Sequence, residues 1–305
     1  MSNSTIQKVV LVGGSGHLGP FILAALQAAN YDLTVVTRRD STAKFPQNTK
    51  VVKIDDGYPE DQVLEAFAGA DAVVLSLAFV ALEYHAALVD ASIKAGVKRL
   101  VASTYGCNDE NAAVLDLFPI AYRHHNIVND LRSRKAPGWS WTSISCGPFF
   151  EMCVETGFFG LNAQDHTAIL CDDASDFKFS TTTRATIGTA VARVLAKPEE
   201  TANRNIFISS FEVTMNEVFN SMKKATGVSD WTVTSTSTDE LVVSGREMWA
   251  RGDMYGMAKL ALVSQLREEY GSNFRKLGKL DNDLLGIETE DVDVVVAEAL
   301  KDVPK

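Results

Sequence analysis

The chain has 305 residues, enough for one large domain or up to two ordinary ones. Hydrophobic residues make up 46% of it and charged residues 22%, the balance of a globular protein with a deep core. Its net charge of −10 argues against nucleic acid as a partner, because phosphate backbones need a basic face.

The amino-terminal MSNSTIQK is polar, and the apolar run behind it is only VVLV before glycine interrupts. Neither a signal-peptide core nor a membrane span is expected. The four cysteines, Cys107, Cys146, Cys153 and Cys171, show no CxxC or Cys/His metal spacing. That points to reduced thiols, a cytoplasmic protein and no metal site.

The first 150 residues alternate short apolar runs with helical patterns. Strands are expected at KVVLVG (8–13), LTVVTR (33–38), KVVKID (50–55), DAVVLSLA (71–78), KRLVAST (98–104) and SWTSISCG (140–147). Between them PFILAALQAAN, EDQVLEAFAGA and YHAALVDASIKAG repeat apolar residues at helical spacing. Nearly unbroken Val/Leu/Ile strands are buried on both faces, which requires a parallel sheet covered by helices. The fold class is therefore α/β, a Rossmann-type doubly wound parallel sheet.

After Gly147 the rhythm breaks. GPFFEMCVETGFFG is rich in aromatics, HTAILCDDASDFKFS suggests short irregular strands, and TTRATIGTAVARVLAKP (182–198) is a clean helix. TMNEVFNSMKKATG opens with a capping-box pattern, Thr214 to Glu217, and the remaining chain is mostly helical. The expected organisation is a dinucleotide-binding domain over 1–150, with 182–210 returning to it. A smaller, mostly helical substrate lobe is expected over 151–181 and 211–305.

VVLVGGSGHLGP, Val9 to Pro20, runs a strand straight into glycines. Gly13, Gly16 and Gly19 form G-x-x-G-x-x-G between a strand and a helix, the context a dinucleotide site requires. Such glycines let the backbone approach a pyrophosphate whose charge sits at a helix N-terminus. Ser15, His17 and Leu18 belong to the same loop. At the tip of the second strand an NAD site places an acid, whereas an NADP site places a base against the 2′-phosphate. Here the tip reads VVTRRD: Thr37, then Arg38 and Arg39, with no acid before Asp40. The expected cofactor is NADP(H). Ser76, Ser103 and Thr104, at the ends of the fourth and fifth strands, complete the candidate cofactor residues.

These motifs together resemble the NmrA-like and isoflavone-reductase-like branch of the atypical short-chain dehydrogenases. The carriers are GGSGHLG, Arg38 with Lys44, KIDDG with Asp55, VKRLVASTYG and SWTSISCGPFFE. The resemblance implies that Arg38 and Lys44 surround the 2′-phosphate, that Asp55 lies by the adenine, and that SWTSISCGPFFE runs beside the nicotinamide. It also implies a catalytic lysine on the helix after the fifth strand, and there the chain departs from the family. FPIAYRHHNIVNDLRSRK holds no lysine before Lys135, and Tyr122-x-x-x-Asn126 is the nearest approach to Tyr-x-x-x-Lys.

Tyr122, His125 and Asn126 are the candidates for that gap. Histidine is the natural acid near neutral pH, and consecutive helical residues point about 100° apart, so at most one of His124 and His125 faces a cleft. His125, three residues from Tyr122, is the preferred one. Phe149, Phe150, Phe158 and Trp249 are candidates to line an apolar pocket for a small aromatic substrate. Two functions stay open: an NADPH-dependent reductase of an aromatic or phenylpropanoid-like metabolite, and a non-catalytic NADP-binding sensor. A homodimer or a regulatory protein partner also stays open.

Overall fold

The computed structural model describes residues 6–117 and 119–301. The elements, in chain order, begin with β1 (Lys8–Val12), α1 (Gly19–Ala28), β2 (Asp32–Arg38), β3 (Lys50–Ile54), α2 (Glu60–Phe67) and β4 (Ala72–Leu75). Next come α3 (His85–Lys94), β5 (Arg99–Val101), α4 (Ala112–Leu117), α5 (Pro119–Ser133), β6 (Ser140–Ser145) and α6 (Phe150–Thr156). Short strands β7 (Leu161–Asn162), β8 (Thr167–Cys171) and β9 (Phe179–Thr181) precede α7 (Arg184–Ala196), β10 (Arg204–Phe207) and β11 (Phe211–Val213). The chain closes with α8 (Met215–Thr226), β12 (Thr232–Thr236), α9 (Thr238–Ala250), α10 (Met254–Leu266), α11 (Asn282–Leu285) and α12 (Val292–Ala299).

By contact the chain divides into two compact units. The first holds residues 1–105, 126–144 and 184–206; the second holds 106–125, 145–183 and 207–305. Residues 106–125 and 145–150, which the strand–helix rhythm assigns to the dinucleotide domain, thus group with the second unit. The physical reason is a short parallel bridge between Gly106 and Ser145, together with hydrogen bonds from Cys146 N and Gly147 N to the Gly106 carbonyl, both 2.9 Å.

The first unit is built on a sheet in the order β10-β6-β5-β4-β1-β2-β3, and β1 pairs in parallel with both β2 and β4. Strand order reverses beside β1, where a doubly wound sheet opens a crevice at the carboxyl ends of its strands. Val9 to Val12 are each at most 4% exposed, as expected for a strand covered on both faces. β4 and β5 are shorter than the apolar runs that announce them, so Ser76, Ser103 and Thr104 emerge on loops at the strands' carboxyl ends. Helices α1 and α7 meet closely at Gly188, where a Cβ would come within 2.4 Å of the Phe21 carbonyl oxygen. At the opposite end of the sheet the buried Arg99 ties β5 to Ser140, Thr142 and Thr201 through their hydroxyls.

The second unit packs around aromatic rings, with Phe150 edge-on to Phe211 at 4.7 Å and Phe159 against Phe179 at 5.7 Å. Its strands form two small sheets, β11-β9 and β12-β8-β7. Helix α8 begins with the capping box expected from the sequence. Glu217 N donates to Thr214 Oγ1 at 3.0 Å, and Thr214 N donates to Glu217 Oε2 at 2.8 Å. No helix among the described residues is long and apolar enough to cross a membrane.

Candidate functional site

The glycines of the β1–α1 loop do different work. Gly13 has φ +87°, and a Cβ there would lie 2.0 Å from the Ser76 carbonyl oxygen. A Cβ on Gly19 would lie 2.3 Å from the Gly13 carbonyl oxygen, and one on Gly14 would lie 2.9 Å from Val35 Cγ1. The protein's own backbone and core therefore demand glycine, or strongly favour it, at these three positions. Gly16 is different. A Cβ there would meet nothing closer than 3.6 Å, an ordinary contact, and the residue is exposed together with Ser15 and His17. Nothing in the fold requires glycine at Gly16, whereas a pyrophosphate lying against the backbone does. Leu18, buried at 4%, is the N-cap of α1, and no side chain caps that helix. Its first N–H groups and the positive end of its dipole therefore face the loop.

At the tip of β2 the two arginines part company. Arg39 Nε donates to Asp55 Oδ1 at 2.5 Å, and Gln62 Nε2 donates to Asp55 Oδ2 at 2.7 Å. These two hydrogen bonds, Arg39 first, hold the Asp55 carboxyl below the usual carboxylate range. Arg38 makes a loose ion pair with Asp56 at 3.9 Å, both side chains about two-thirds exposed. Thr37 is half-buried beside it. Lys53 Nζ donates to the carbonyls of Arg39 and Ser41 at 3.3 Å, bracing the turn that presents Arg38. Lys44 is exposed and shares a cavity of about 240 Å³ with Gly14, Ser15, Pro20 and Phe45. The first unit thus brings Lys44 to the glycine loop.

The strand-end residues are buried. Ser76 N donates to the Val12 carbonyl at 2.9 Å, and Ser103 Oγ accepts from Leu77 N at 2.8 Å, so both knit the carboxyl ends of the sheet. Thr104, at 2% exposure, keeps Oγ1 enclosed with no hydrogen-bond partner among the described residues.

Helix α5 sorts its polar residues by angle. Ala121, His124, Val128 and Leu131 form the buried stripe, while Tyr122 and Asn126 lie on the exposed side, Tyr122 at 55%. The expected trio is thereby divided: Tyr122 and Asn126 point outward, and His125 sits half-buried on the flank. There its Nδ1 lies 2.8 Å from the Asp109 carbonyl oxygen. A carbonyl only accepts, so Nδ1 carries a proton and Nε2 is the basic nitrogen of the neutral ring. His124 is the imidazole turned inward, 7% exposed, and burial pulls its pKa down to about 4.

Of the candidate substrate residues, Phe149, Phe158 and Trp249 are half-buried, and the latter two rest on the second unit's core. Phe150 is a correction. At 0% exposure, between Phe159 and Phe211, it is part of that core and presents no surface to a ligand. Burial also raises the thiols, Cys107 to about 12 and Cys171 to about 11, so neither is a ready nucleophile.

A model of the NmrA-like family matches residues 5–260. Oxidoreductase aprR of Aspergillus flavus is 33% identical over 296 residues, covering 96% of this chain and 99% of its own. The chain belongs to the NmrA-like family. Among solved structures, an isoflavone reductase superposes with a TM-score of 0.76 at 18% identity, over 96% of this chain and 99% of its own. AtPrR2 with NADP+ and (+)-pinoresinol gives 0.73 at 16% identity, over 97% and 99%. These two likenesses are of fold. Within this NmrA-like chain, His124 rather than the preferred His125 is the imidazole of the pair that turns inward. Its signal was present, because it falls three residues after Ala121 and four before Val128, on the apolar phase of α5.

Proposed function

We propose that this NmrA-like protein is an NADPH-dependent reductase of a small aromatic or phenylpropanoid-like molecule. The observation that carries the reading is Gly16, a glycine that the fold leaves free and a dinucleotide would need. In this reading the 13–19 loop and the N-terminus of α1 hold the pyrophosphate. Arg38 and Lys44 take the 2′-phosphate by charge-assisted hydrogen bonds, with Arg39 already committed to Asp55. Asp55, with Gln62, borders the adenine, and Ser76, Ser103 and Thr104 form the wall at the strand ends. The bound cofactor supplies the hydride. Phe149, Phe158 and Trp249 offer the apolar contacts for a flat substrate. His125 handles the proton, its ring held by Nδ1 on the Asp109 carbonyl. Tyr122 and Asn126 are second choices for that role on account of their outward placement. The oxidoreductase name of the Aspergillus flavus relative and the ligands of AtPrR2 support the reading.

A second reading, a non-catalytic NADP-binding sensor, draws on the stretch from Pro119 to Arg134, which has no lysine where the reductases of the family carry theirs. Monitoring NADPH absorbance with aromatic enones, quinones and aldehydes, beside calorimetric titration of NADPH and NADH, separates the two. Turnover of any of them together with preference for NADPH is the expected result. Tight NADPH binding with no consumption by any of them makes the protein a sensor.

A further inference from the structure

The amino ends of the parallel strands border a cavity of about 770 Å³ whose lining lies wholly within the first unit. We propose that this cavity binds a small molecule made of one carboxylate and an aromatic body, with the carboxylate directed to Arg99. The glycine loop follows the other end of β1, and the five residues of that strand put the two ends about 16 Å apart. The site is therefore separate from the cofactor loop and does not depend on the reductase reading.

Arg99 lines the cavity and is 1% exposed. Its guanidinium meets only neutral oxygens. Nη1 donates to Ser140 Oγ at 3.0 Å, and Nη2 donates to Thr142 Oγ1 and Thr201 Oγ1, both at 2.5 Å. Those hydroxyls direct their own protons to the carbonyls of Lys98, Thr201 and Lys197. Among the described residues no carboxylate pairs with Arg99, and its Nε is enclosed without a partner. Burial, the single cause, draws its pKa down to about 10, so the group is still a cation at neutral pH. A buried charge without a counter-ion is costly to a fold, and an anion in the cavity offsets that cost. Of the five guanidinium N–H donors three are engaged, which leaves Nε–H and one Nη1–H for two carboxylate oxygens. Ser140, which holds Nη1, also lines the cavity and is half-buried.

The rest of the lining selects the body. Trp139, Tyr31, Leu195 and Ile6 supply apolar surface. The polar tips of the two aromatics are engaged elsewhere: Trp139 Nε1 donates to Ser92 Oγ at 3.3 Å, and Tyr31 Oη to the Ala192 carbonyl at 3.1 Å. Lys98, the other cation of the lining, is held by Asp71 at 2.9 Å. Glu199 and Glu200 are exposed members of the lining, and their charges disfavour a polyanion such as phosphate. One buried cation, apolar walls and an acidic rim together fit a monocarboxylate, in a volume usual for small-molecule pockets.

The test titrates the full chain with phenylacetate, 2-phenylethanol and inorganic phosphate. Calorimetry reads affinity, and nitrogen-15 NMR reads the Trp139 indole N–H, assigned with Trp139→Phe. Phenylacetate and 2-phenylethanol share a ring and differ in charge. Phenylacetate is expected to shift the Trp139 signal saturably and to bind at least about tenfold tighter than the alcohol, the worth of a hydrogen bond to a charged group. Phosphate is expected to leave that signal in place. Arg99→Met should weaken phenylacetate by about 10–100-fold and leave 2-phenylethanol unchanged. The wild-type comparison decides the matter whether or not that variant folds. A Trp139 signal that phenylacetate does not move, equal affinity for acid and alcohol, or phosphate binding tighter than phenylacetate overturns the proposal. So does a folded Arg99→Met that binds phenylacetate as the wild type does.

Discussion

The β1–α1 loop and helix α5 are both short polar stretches beside the sheet, and their residues answer to different demands. In the loop, three of the four glycines are set by the protein itself: Gly13 and Gly19 by backbone oxygens within 2.3 Å of any Cβ, Gly14 by the Val35 side chain. Gly16 is the exception, a glycine that the surrounding backbone and side chains leave unconstrained. On α5 no backbone constraint operates. Helical phase decides which of Tyr122, His124, His125 and Asn126 meets the interior. A glycine loop can thus be read position by position from geometry alone. A helix has to be read from what it packs against.

The largest expected effect tests the loop side of that comparison. Gly16→Val should abolish measurable NADPH binding in calorimetry while the circular dichroism spectrum and thermal midpoint stay those of the wild type, since the fold has room for the side chain. Gly19→Val should do the reverse first, destabilising the protein by about 1–3 kcal/mol or more in urea titration through overpacking against the Gly13 carbonyl. Equal behaviour of the two variants would erase the distinction between a ligand-set and a fold-set glycine.

Next in size is the flank of α5. His125→Gln should lower turnover by about 10²–10⁴, the usual contribution of a general acid, with NADPH affinity retained. Stopped-flow measurement of NADPH oxidation reads this, and an unchanged rate would remove His125 from the proton path.

Cofactor choice comes third. Arg38→Ala should weaken NADP(H) by about 1.5–3 kcal/mol, the worth of hydrogen bonds to a charged group, and leave NAD(H) nearly unchanged. Arg39→Ala should do less to this selectivity, because Arg39 is already held by Asp55. Equal losses for both nucleotides would mean that Arg38 does not meet the 2′-phosphate.

The smallest effects should come from the outward face of α5. Tyr122→Phe and Asn126→Lys should each change turnover by no more than about threefold, a loss too small for a group acting in the transition state. A hundredfold change at either would move the proton path to that face, against the helical phase of α5.

The strand–helix alternation, the parallel sheet, the glycine loop, the paired arginines and the Thr214 cap were all legible in the chain. Each depends on local chemistry: a period of apolar residues, a backbone that needs glycine, or a side chain returning to its own helix. Three things were not. The grouping of 106–125 with the second unit depends on the Gly106–Ser145 bridge, between residues far apart in sequence. Phe149 and Phe150 are adjacent and identical in kind, and only packing against Phe159 and Phe211 makes the second a core ring. His124 and His125 are likewise neighbours of one type. Helical phase already turned His124 inward, but what each ring meets, Gly106 for one and the Asp109 carbonyl for the other, comes from long-range contacts. The sequence by itself determined which residues could bind a dinucleotide, because that chemistry is written into a contiguous turn. Tertiary structure decided what each member of a look-alike pair packs against, because burial and hydrogen-bond partners are supplied by segments distant in the chain.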